Sequence, residues 1–382
     1  LGRAMSIYSV LVLAFVNNIG SRASRVLLTL YALHLGAQPL TIGLLAATIG
    51  LFPMLLSWWS GRLSDRFGAR WLLTLGAAGS ALGMTLPYFD PGLPAIFAAA
   101  AFGGLSITVY QVSMQNLVGL MSAPHERARN FSNYSLAGAT SGFVGPMLAG
   151  FSIDHSGYGS ACLYLAVLPL IPIAMLLVNG GGLPKGNPEH AVGGSLLSTL
   201  AEPGVLRVLA VSALAQSGMD LFQFYMPVYG HSAGLSASAI GIVLAMYAVA
   251  SFAVRVVTPR LVEKFGEEKL LAGAFVLSAL GFLLVPFFEN MYALGAISFI
   301  FGLGMGCGTP ITLMLMFNNS PSGRSGEAMG LRMSVDNLVR IVSPIVFGAV
   351  ASGFGLAFVF WINALMLGAG GMLPGAPKKK AG

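Results

Sequence analysis

Six charged side chains stand inside long apolar stretches of this sequence: Arg22, Arg25, Asp220, Arg332, Asp336 and Arg340. Ionisable residues at membrane depth are costly, and by default they mark substrate or ion pathways. An arginine keeps its charge and binds carboxylate or phosphate through two parallel N–H groups. A buried carboxylate instead exchanges a proton when its partner changes. These residue types therefore predict recognition of an anion and transfer of a proton.

Further polar side chains on the same stretches extend the predicted site. The predicted substrate-binding residues are Arg22, Arg25, Tyr110, Gln111, Asp220, Gln223 and Arg340, and the predicted proton-coupling residues are Asp220 and Asp336. Two alternatives stay open. A permanent pair of Arg22 with Asp220 would leave an apolar cavity. Arg332, Asp336 and Arg340, spaced four residues apart on one helix face, would form a structural ion-pair ladder, an interpretation that has most weight for the first two. Arg255 is interpreted as a base that snorkels to the membrane surface.

The stretches that carry these residues are predicted to be membrane-spanning helices. The chain has 382 residues, 56% hydrophobic and only 9% charged, against about 25% charged in soluble domains. The longest apolar runs lack the alternation of a membrane barrel, and a backbone in lipid must satisfy its own hydrogen bonds. We therefore expect an all-α membrane protein of twelve transmembrane helices. Their predicted bounds are 5–35, 40–60, 71–89, 94–121, 130–154, 158–178, 205–229, 237–257, 269–289, 292–316, 328–352 and 355–373.

The two halves of the chain are internal repeats. At an offset of 198 residues, Tyr31 meets Tyr229, Phe67-Gly68 meets Phe265-Gly266, and Gly157 meets Gly355. Internal repeats with the substrate site between them are a known transporter architecture. The sequence predicts two pseudo-symmetric six-helix bundles with these bounds: an N-terminal bundle 1–178, a cytoplasmic linker 179–204, a C-terminal bundle 205–373 and a basic tail 374–382.

The net charge of +7 is interpreted as a topology signal and not as a nucleic-acid surface. The lysines and arginines outside the spans follow the even-numbered predicted helices or lie near the termini. Loops after odd-numbered helices carry Asp90, Asp154 and Glu289 but no lysine or arginine. By the positive-inside rule, we expect a multi-pass protein of the inner (cytoplasmic) membrane with both termini in the cytoplasm.

One motif connects the second and third predicted helices. The run from Gly61 to Arg70 reads GRLSDRFGAR, and a weaker copy occupies 259–266. It resembles the signature loop of the major facilitator superfamily, G-x-L-(S/A)-D-R-x-G-x-R, and the resemblance extends to helix count and repeat. It implies that Asp65 caps predicted helix 11, where the helix dipole favours an anion. It also implies that Arg66 and Arg70 pair with acids. The residues it assigns to gating are Gly61, Asp65, Arg66, Gly68 and Arg70.

The fifth predicted helix carries a stripe of small residues that includes Gly145 and Pro146. The stripe is similar to the G-x3-G-P-x3-G motif of the superfamily's bacterial proton-coupled exporters, which adds Gly145 and Pro146 to the gating residues. Ordinary small-residue packing between helices is the alternative. Glycines also alternate from Gly302 to Gly308 inside an apolar span, which indicates close packing and not a phosphate-binding loop.

These features predict an ion-gradient-driven, proton-coupled transporter of a small organic anion or zwitterion, working by alternating access. Export of lipophilic drugs is the alternative within this class. An intramembrane enzyme is less favoured because the five histidines fall in loops or at helix ends, and a channel or receptor is disfavoured by the repeat. No catalytic residue, cofactor or metal is expected. Cys162 and Cys307 both lie inside predicted spans, where a structural disulfide is not expected. The expected partners are a small-molecule substrate, protons or another coupling ion, and the bilayer, without nucleic acid, and the expected state is a monomer.

The predicted topology is testable by cysteine labelling. The variant Ser195→Cys, in the linker, is expected to react with impermeant thiol reagents only from the cytoplasmic side. The variant Ser156→Cys, after an odd-numbered helix, is the control and should react only from outside. Labelling of Ser195→Cys in intact cells would overturn both the orientation and the even number of spans.

Overall fold

The computed structural model describes residues 5–37, 39–186, 199–200, 202–235 and 237–372. The predicted tail 374–382 and half of the linker 179–204 lie outside the described residues. Within the described ranges the chain is helical, and no residue there is in a strand. The prediction of an all-α membrane protein is thereby confirmed.

The helices follow the predicted spans in order. Their bounds are α1 Ile7–His34, α2 Pro39–Phe67, α3 Ala69–Phe89, α4 Leu93–Leu120, α5 Arg127–Val167, α6 Leu170–Asn179, α7 Pro203–Ser232, α8 Ala237–Phe265, α9 Glu267–Leu284, α10a Met291–Gly306, α10b Gly308–Asn319, α11 Ser325–Phe354 and α12 Leu356–Gly371. Eight helical segments in the described ranges are long and apolar enough to cross a membrane. One of them, Pro124–Gly182, turns at Gly157, where φ is +74°, and so holds two predicted spans.

Three predicted boundaries are wrong. The signature motif is not a loop: α2 continues through it to Phe67, and only Gly68, with φ +81°, interrupts the helical run before α3. Likewise α8 continues to Phe265. The predicted tenth helix is broken at Cys307 into α10a and α10b. Polar side chains end a hydropathy window, but they do not end a helix whose backbone is still hydrogen-bonded.

The chain divides into two compact units. The first comprises Leu1–Thr199 with Ser320–Asn337, and the second comprises Leu200–Asn319 with Leu338–Gly382. The start of α11 therefore belongs to the first unit, where it packs on α2, and the rest of α11 belongs to the second unit. The predicted domain bounds, which follow the chain alone, stay a prediction.

The internal repeat is visible in the backbone. Three glycine pairs separated by 198 residues share a positive φ: Gly36 and Gly234 (79° and 77°), Gly68 and Gly266 (81° and 77°), and Gly157 and Gly355 (74° and 93°). Side chains with a Cβ are strained in this region, so glycine is the residue that fits. The two halves therefore turn at equivalent points even where their side chains differ.

Close packing between helices is repeated as well. A Cβ built on Gly104 would lie 2.7 Å from the carbonyl oxygen of Ile49 on α2. A Cβ on the equivalent Gly302 would lie 2.5 Å from the carbonyl oxygen of Tyr247 on α8. Ile49 and Tyr247 are themselves 198 residues apart. Small residues let membrane helices approach this closely, so α2–α4 and α8–α10a are equivalent contacts.

Gly104 and Gly302 are expected to be far more sensitive to substitution than Gly103, the neighbour of Gly104, because a Cβ added at Gly103 meets nothing within 4 Å. Gly104→Ala and Gly302→Ala should each lower the free energy of unfolding by about 1–3 kcal/mol, because the added methyl group overpacks the contact. Thermal unfolding in detergent measures the difference. Equal melting temperatures for Gly103→Ala and Gly104→Ala would contradict the repeated contact.

Candidate functional site

The carboxylate of Asp65 caps the start of α11. Its Oδ1 accepts the backbone N–H of Gly326 at 2.8 Å, and its Oδ2 accepts that of Glu327 at 2.9 Å. The first N–H groups of a helix lack intrahelical partners and carry the positive end of the dipole. The structure thus places Asp65 where the resemblance predicts it, and the role of this contact in gating stays a prediction.

Glycines make this approach of α2 to α11 sterically feasible. A Cβ on Gly61 would overlap the carbonyl oxygen of Gly326, and one on Gly330 would overlap that of Ser57. Gly61 was predicted from the motif, whereas Gly330 was not. Neither position accepts a side chain without moving a backbone. We name the contact of Gly61 and Asp65 with Gly326, Glu327 and Gly330 the α2–α11 latch.

The side chain of Asn116 supports the latch from α4. It donates to Asp65 Oδ1 at 3.0 Å and accepts from the Ser325 hydroxyl at 2.6 Å. Asn116 is buried, so its amide is held in one orientation by these two partners. It fixes the rotamer of the capping carboxylate and the first residue of α11 together.

A second charged group of the latch escaped the sequence analysis. Glu327, only 3% exposed, accepts two N–H groups of Arg324, at 2.7 Å from Nε to Oε2 and 2.9 Å from Nη2 to Oε1. Trp58 Nε1 donates to the same Oε1 at 2.9 Å. Bidentate arginine–carboxylate pairs of this kind are among the stronger ion pairs. The available signal was an acid three residues after an arginine at a helix start.

A buried polar cluster lies further along the first unit. Arg332 Nη1 donates to Asp336 Oδ2 at 2.7 Å, and its Nη2 donates to Gln115 Oε1 at 3.2 Å. The side chain of Tyr134 lies beside those of Gln111 and Gln115. Gln111 thus belongs to this cluster, as does Tyr134, which the sequence analysis missed. The structure gives Arg332 and Asp336 the pair that the ladder interpretation predicts.

The third charge of that ladder has a different partner. Arg340 Nε lies 3.6 Å from Asp220 Oδ2 on α7, longer than a hydrogen bond, with the Arg340 side chain 55% exposed and that of Asp220 17% exposed. A hydrogen bond of 3.2 Å between Ser217 and Ser343 holds the same stretches of α7 and α11 together. The second unit therefore carries a loose ion pair at the middle of both helices.

More polar groups of the second unit lie near this pair. Tyr247 on α8 lies beside Gln223 and Ser251, close to the charges of Asp220 and Arg255. Arg255, which was interpreted as a snorkelling base, donates through Nε to the carbonyl of Gly306 at 2.9 Å, where α10a ends. A cation at a helix C-terminus satisfies carbonyls that lack an intrahelical partner. Gln223, predicted to bind substrate, is exposed beside this cluster.

The remaining predicted binding residues lie on α1 and α4. Arg22 and Arg25 are exposed near the middle of α1, and Arg25 lines a narrow pocket with Ser21, Ser24 and Ser80. Tyr110 is buried, and its hydroxyl donates to the Leu13 carbonyl at 3.1 Å. In this structure Tyr110 therefore joins α4 to α1.

The predicted gating residues outside the latch pack against neighbouring helices. A Cβ on Gly145 would lie 2.6 Å from that of Arg22, so this glycine holds α5 against α1. Pro146 lies inside α5, whose non-helical backbone is at Gly157. Arg66 lies over the Phe67 ring.

Arg70 was predicted to pair with an acid, but the structure gives it a different partner. Its guanidinium donates to the carbonyls of Leu176 and Leu177 at 3.1 and 3.0 Å and so caps the end of α6.

Among the described residues, no three His, Cys, Asp or Glu side chains meet as metal ligands.

Comparison with known proteins agrees with this architecture. A family model described as Major Facilitator Superfamily matches residues 10–236 and 208–380. Multidrug resistance protein MdtG of Klebsiella pneumoniae (strain 342) is 24% identical over 329 residues, which cover 84% of this chain and 80% of that protein.

Two solved structures share the fold. The human organic anion transporter MFSD10 (TETRAN) aligns with a TM-score of 0.79 at 17% identity, over 96% of this chain and 98% of that chain. The proton:xylose symporter XylE, bound to 6-bromo-6-deoxy-D-glucose, aligns with a TM-score of 0.75 at 15% identity, over 96% and 94%. At these identities the likeness concerns the fold alone.

The Asp65 cap predicts that loss of its carboxylate charge slows transport without preventing folding. Asp65→Asn keeps one acceptor but loses the charge that the helix terminus stabilises, so the variant should insert and fold yet transport more slowly. Turnover in liposomes measures this, with Asp154→Asn, an exposed carboxylate, as the control. Parental turnover in Asp65→Asn, together with tolerance of Gly61→Leu, would reduce the motif to a topology signal.

Proposed function

The chain belongs to the Major Facilitator Superfamily, and from this premise we propose that it moves a small organic anion or zwitterion across the membrane by alternating access. The driving force is an ion gradient, with protons as the coupling ion. The twelve-helix fold and the multi-pass membrane location are properties of the family. The substrate class and the coupling rest on the charges described above.

The observation that carries the proposal is the placement of Arg340. It stands halfway along the 30-residue α11, yet its side chain is 55% exposed. A charge at this depth is tolerated where it faces protein or a water-filled cavity and not hydrocarbon. Because its contact with Asp220 is longer than a hydrogen bond, the guanidinium keeps donors for a carboxylate or phosphate of the substrate.

Asp220 is the proposed proton carrier. Its carboxylate faces Arg340, so an anionic substrate that binds the arginine weakens the interaction that keeps Asp220 ionised. Substrate binding and proton uptake then favour each other, which is the coupling that a secondary transporter needs. Gln223 is the proposed neutral contact beside them. Asp336, held by Arg332 at 2.7 Å, is the second proposed coupling residue.

Four predicted residues of the first unit remain part of the proposal. Arg22 and Arg25 are exposed bases in the middle of α1, and the same argument about charge at membrane depth applies to them. Gln111 belongs to the polar cluster of Arg332. Tyr110 has the weakest support, since its hydroxyl is bound to the Leu13 carbonyl.

Direction and location are proposed from the sequence and the relatives. The glycine stripe around Gly145 and the name of the multidrug resistance relative favour export in exchange for protons, whereas the linkage of Arg340 and Asp220 by itself favours co-transport of substrate and proton. The one-sided lysine and arginine distribution favours an inner membrane with both termini in the cytoplasm. A monomer suffices for this mechanism because all the proposed residues lie in one chain.

The second candidate is export of lipophilic drugs, which the name of the same relative favours. In that case the Arg340–Asp220 pair is structural, and substrates bind to apolar surface. An intramembrane enzyme is the candidate of another class, and it would need a nucleophile and base at membrane depth. The two transport candidates differ in the charge of the best substrate.

Transport by the variant Arg340→Gln in proteoliposomes distinguishes the organic-anion candidate from the lipophilic-drug candidate. For an organic anion we expect a loss of roughly 10- to 100-fold in transport, the size of one charged hydrogen bond, and a smaller loss for Arg340→Lys, which keeps the charge without the planar fork. Arg129→Gln is a matched control because Arg129 is also half-exposed and ion-paired, at the start of α5. Parental transport by Arg340→Gln, or a preference for lipophilic cations, would favour the drug candidate.

A further inference from the structure

The far end of the linker is buried in the first unit. Thr199 belongs to the predicted polar linker 179–204, yet its side chain is 0% exposed. A connecting segment in a membrane protein ordinarily lies at the water-exposed surface. The burial of a threonine here means that this point of the linker has a fixed position.

The hydroxyl of Thr199 stands inside the Arg324–Glu327 ion pair. It accepts a hydrogen bond from Arg324 Nη2 and donates to Glu327 Oε1 at 3.0 Å. The same Oε1 accepts from Trp58 Nε1 at 2.9 Å. A hydroxyl both donates and accepts, so Thr199 is chemically suited to join a guanidinium to a carboxylate.

The position of Glu327 matters because its backbone N–H is one of the two that Asp65 caps. Its side chain is held by three groups: Arg324 from its own helix, Trp58 from α2 and Thr199 from the linker. A buried carboxylate that loses a donor becomes more costly to keep in place. Thr199 therefore acts on the latch through Glu327.

The near end of the linker also lies on the signature motif. A Cβ on Gly186 would overlap the backbone of Arg66 and Gly68, and a Cβ on Gly68 would lie 2.9 Å from the Gly186 nitrogen. The two described ends of the linker thus contact the residues between α2 and α3 and the residues at the start of α11. These two places adjoin the two sides of the α2–α11 latch.

We propose that Thr199, at a described end of the linker, is a positioning residue of the α2–α11 latch and leaves its partners when the latch opens. Thr199 touches no substrate in this mechanism. It holds Glu327 and Arg324 so that the start of α11 stays on α2. The inference rests on the proposed alternating-access function, since a latch has a purpose only if it opens.

The first experiment compares Thr199→Val, which keeps the shape without the hydroxyl, with Thr199→Ser, which keeps the hydroxyl. The reporter is Ser57→Cys with Cys162 and Cys307 replaced by serine; Ser57 is fully buried against Gly330. Its labelling by an impermeant thiol reagent from the cytoplasmic side measures latch opening without any substrate. We expect Thr199→Val to raise the labelling rate roughly 5- to 30-fold and Thr199→Ser to stay within about twofold of the parent.

Equal labelling of Thr199→Val and the parent, at equal melting temperature, would overturn the proposal. So would Thr199→Ser behaving like Thr199→Val, because the hydroxyl would then be irrelevant. Faster labelling without transport of any tested solute would keep the positioning role and reject the proposed function. The two failures are therefore distinguishable.

A second reporter does not depend on the folding of Thr199→Val. The variant Leu200→Cys, next to Thr199, should react faster from the cytoplasmic side when Asp65→Asn weakens the cap, because linker and latch open together. Asp154→Asn is the control and should leave the rate unchanged. If Asp65→Asn left the labelling rate of Leu200→Cys unchanged, the linker would be independent of the latch, and the proposal would also be overturned.

Discussion

The structure of the first unit depends on one interaction, the acceptance of two backbone N–H groups of α11 by the Asp65 carboxylate. A helix start that enters lipid with unsatisfied N–H groups is costly, and a lone carboxylate at the same depth is costly as well. When the carboxylate accepts these N–H groups, both are satisfied and neither cost remains in full. Gly61 and Gly330 let the backbones approach, and Asn116 fixes the carboxylate. Because every one of these contacts is specific in distance, a latch that opened would lose them together.

The second unit has a looser electrostatic arrangement. Arg332 and Asp336 of the first unit are in direct contact and buried, whereas Arg340 and Asp220 stand 3.6 Å apart with the arginine half-exposed. A tight buried pair resists change because separating it leaves charge without a partner. A loose pair next to open space exchanges partners at lower cost. The tight pair therefore lies near the latch, and the loose pair lies at the middle of α7 and α11.

Much of this was predictable from the sequence, for physical reasons. Hydropathy located the spans, the 198-residue offset revealed the repeat, and the motif led to Asp65 at the start of α11. The end of α2 was misplaced because Arg62, Asp65 and Arg66 are charged yet still helical. Pairings between distant residues could not be derived: Arg70 binds carbonyls of α6, and Thr199 lies in the Arg324–Glu327 pair. Such contacts depend on how helices meet, which neither composition nor periodicity records.

The sequence distance across the cap has a consequence for biosynthesis. Asp65 is separated from the two residues it caps by 261 and 262 positions. At roughly 5–20 residues per second of translation, on the order of 13–50 s pass between the synthesis of the carboxylate and that of its partners. Throughout that interval α2 resides in the bilayer with Trp58 and Asp65 lacking the groups that will bind them. Formation of the cap is thus among the last folding events, and a chain truncated before residue 326 would remain in the membrane with its polar contacts incomplete, a recognisable target for membrane proteases.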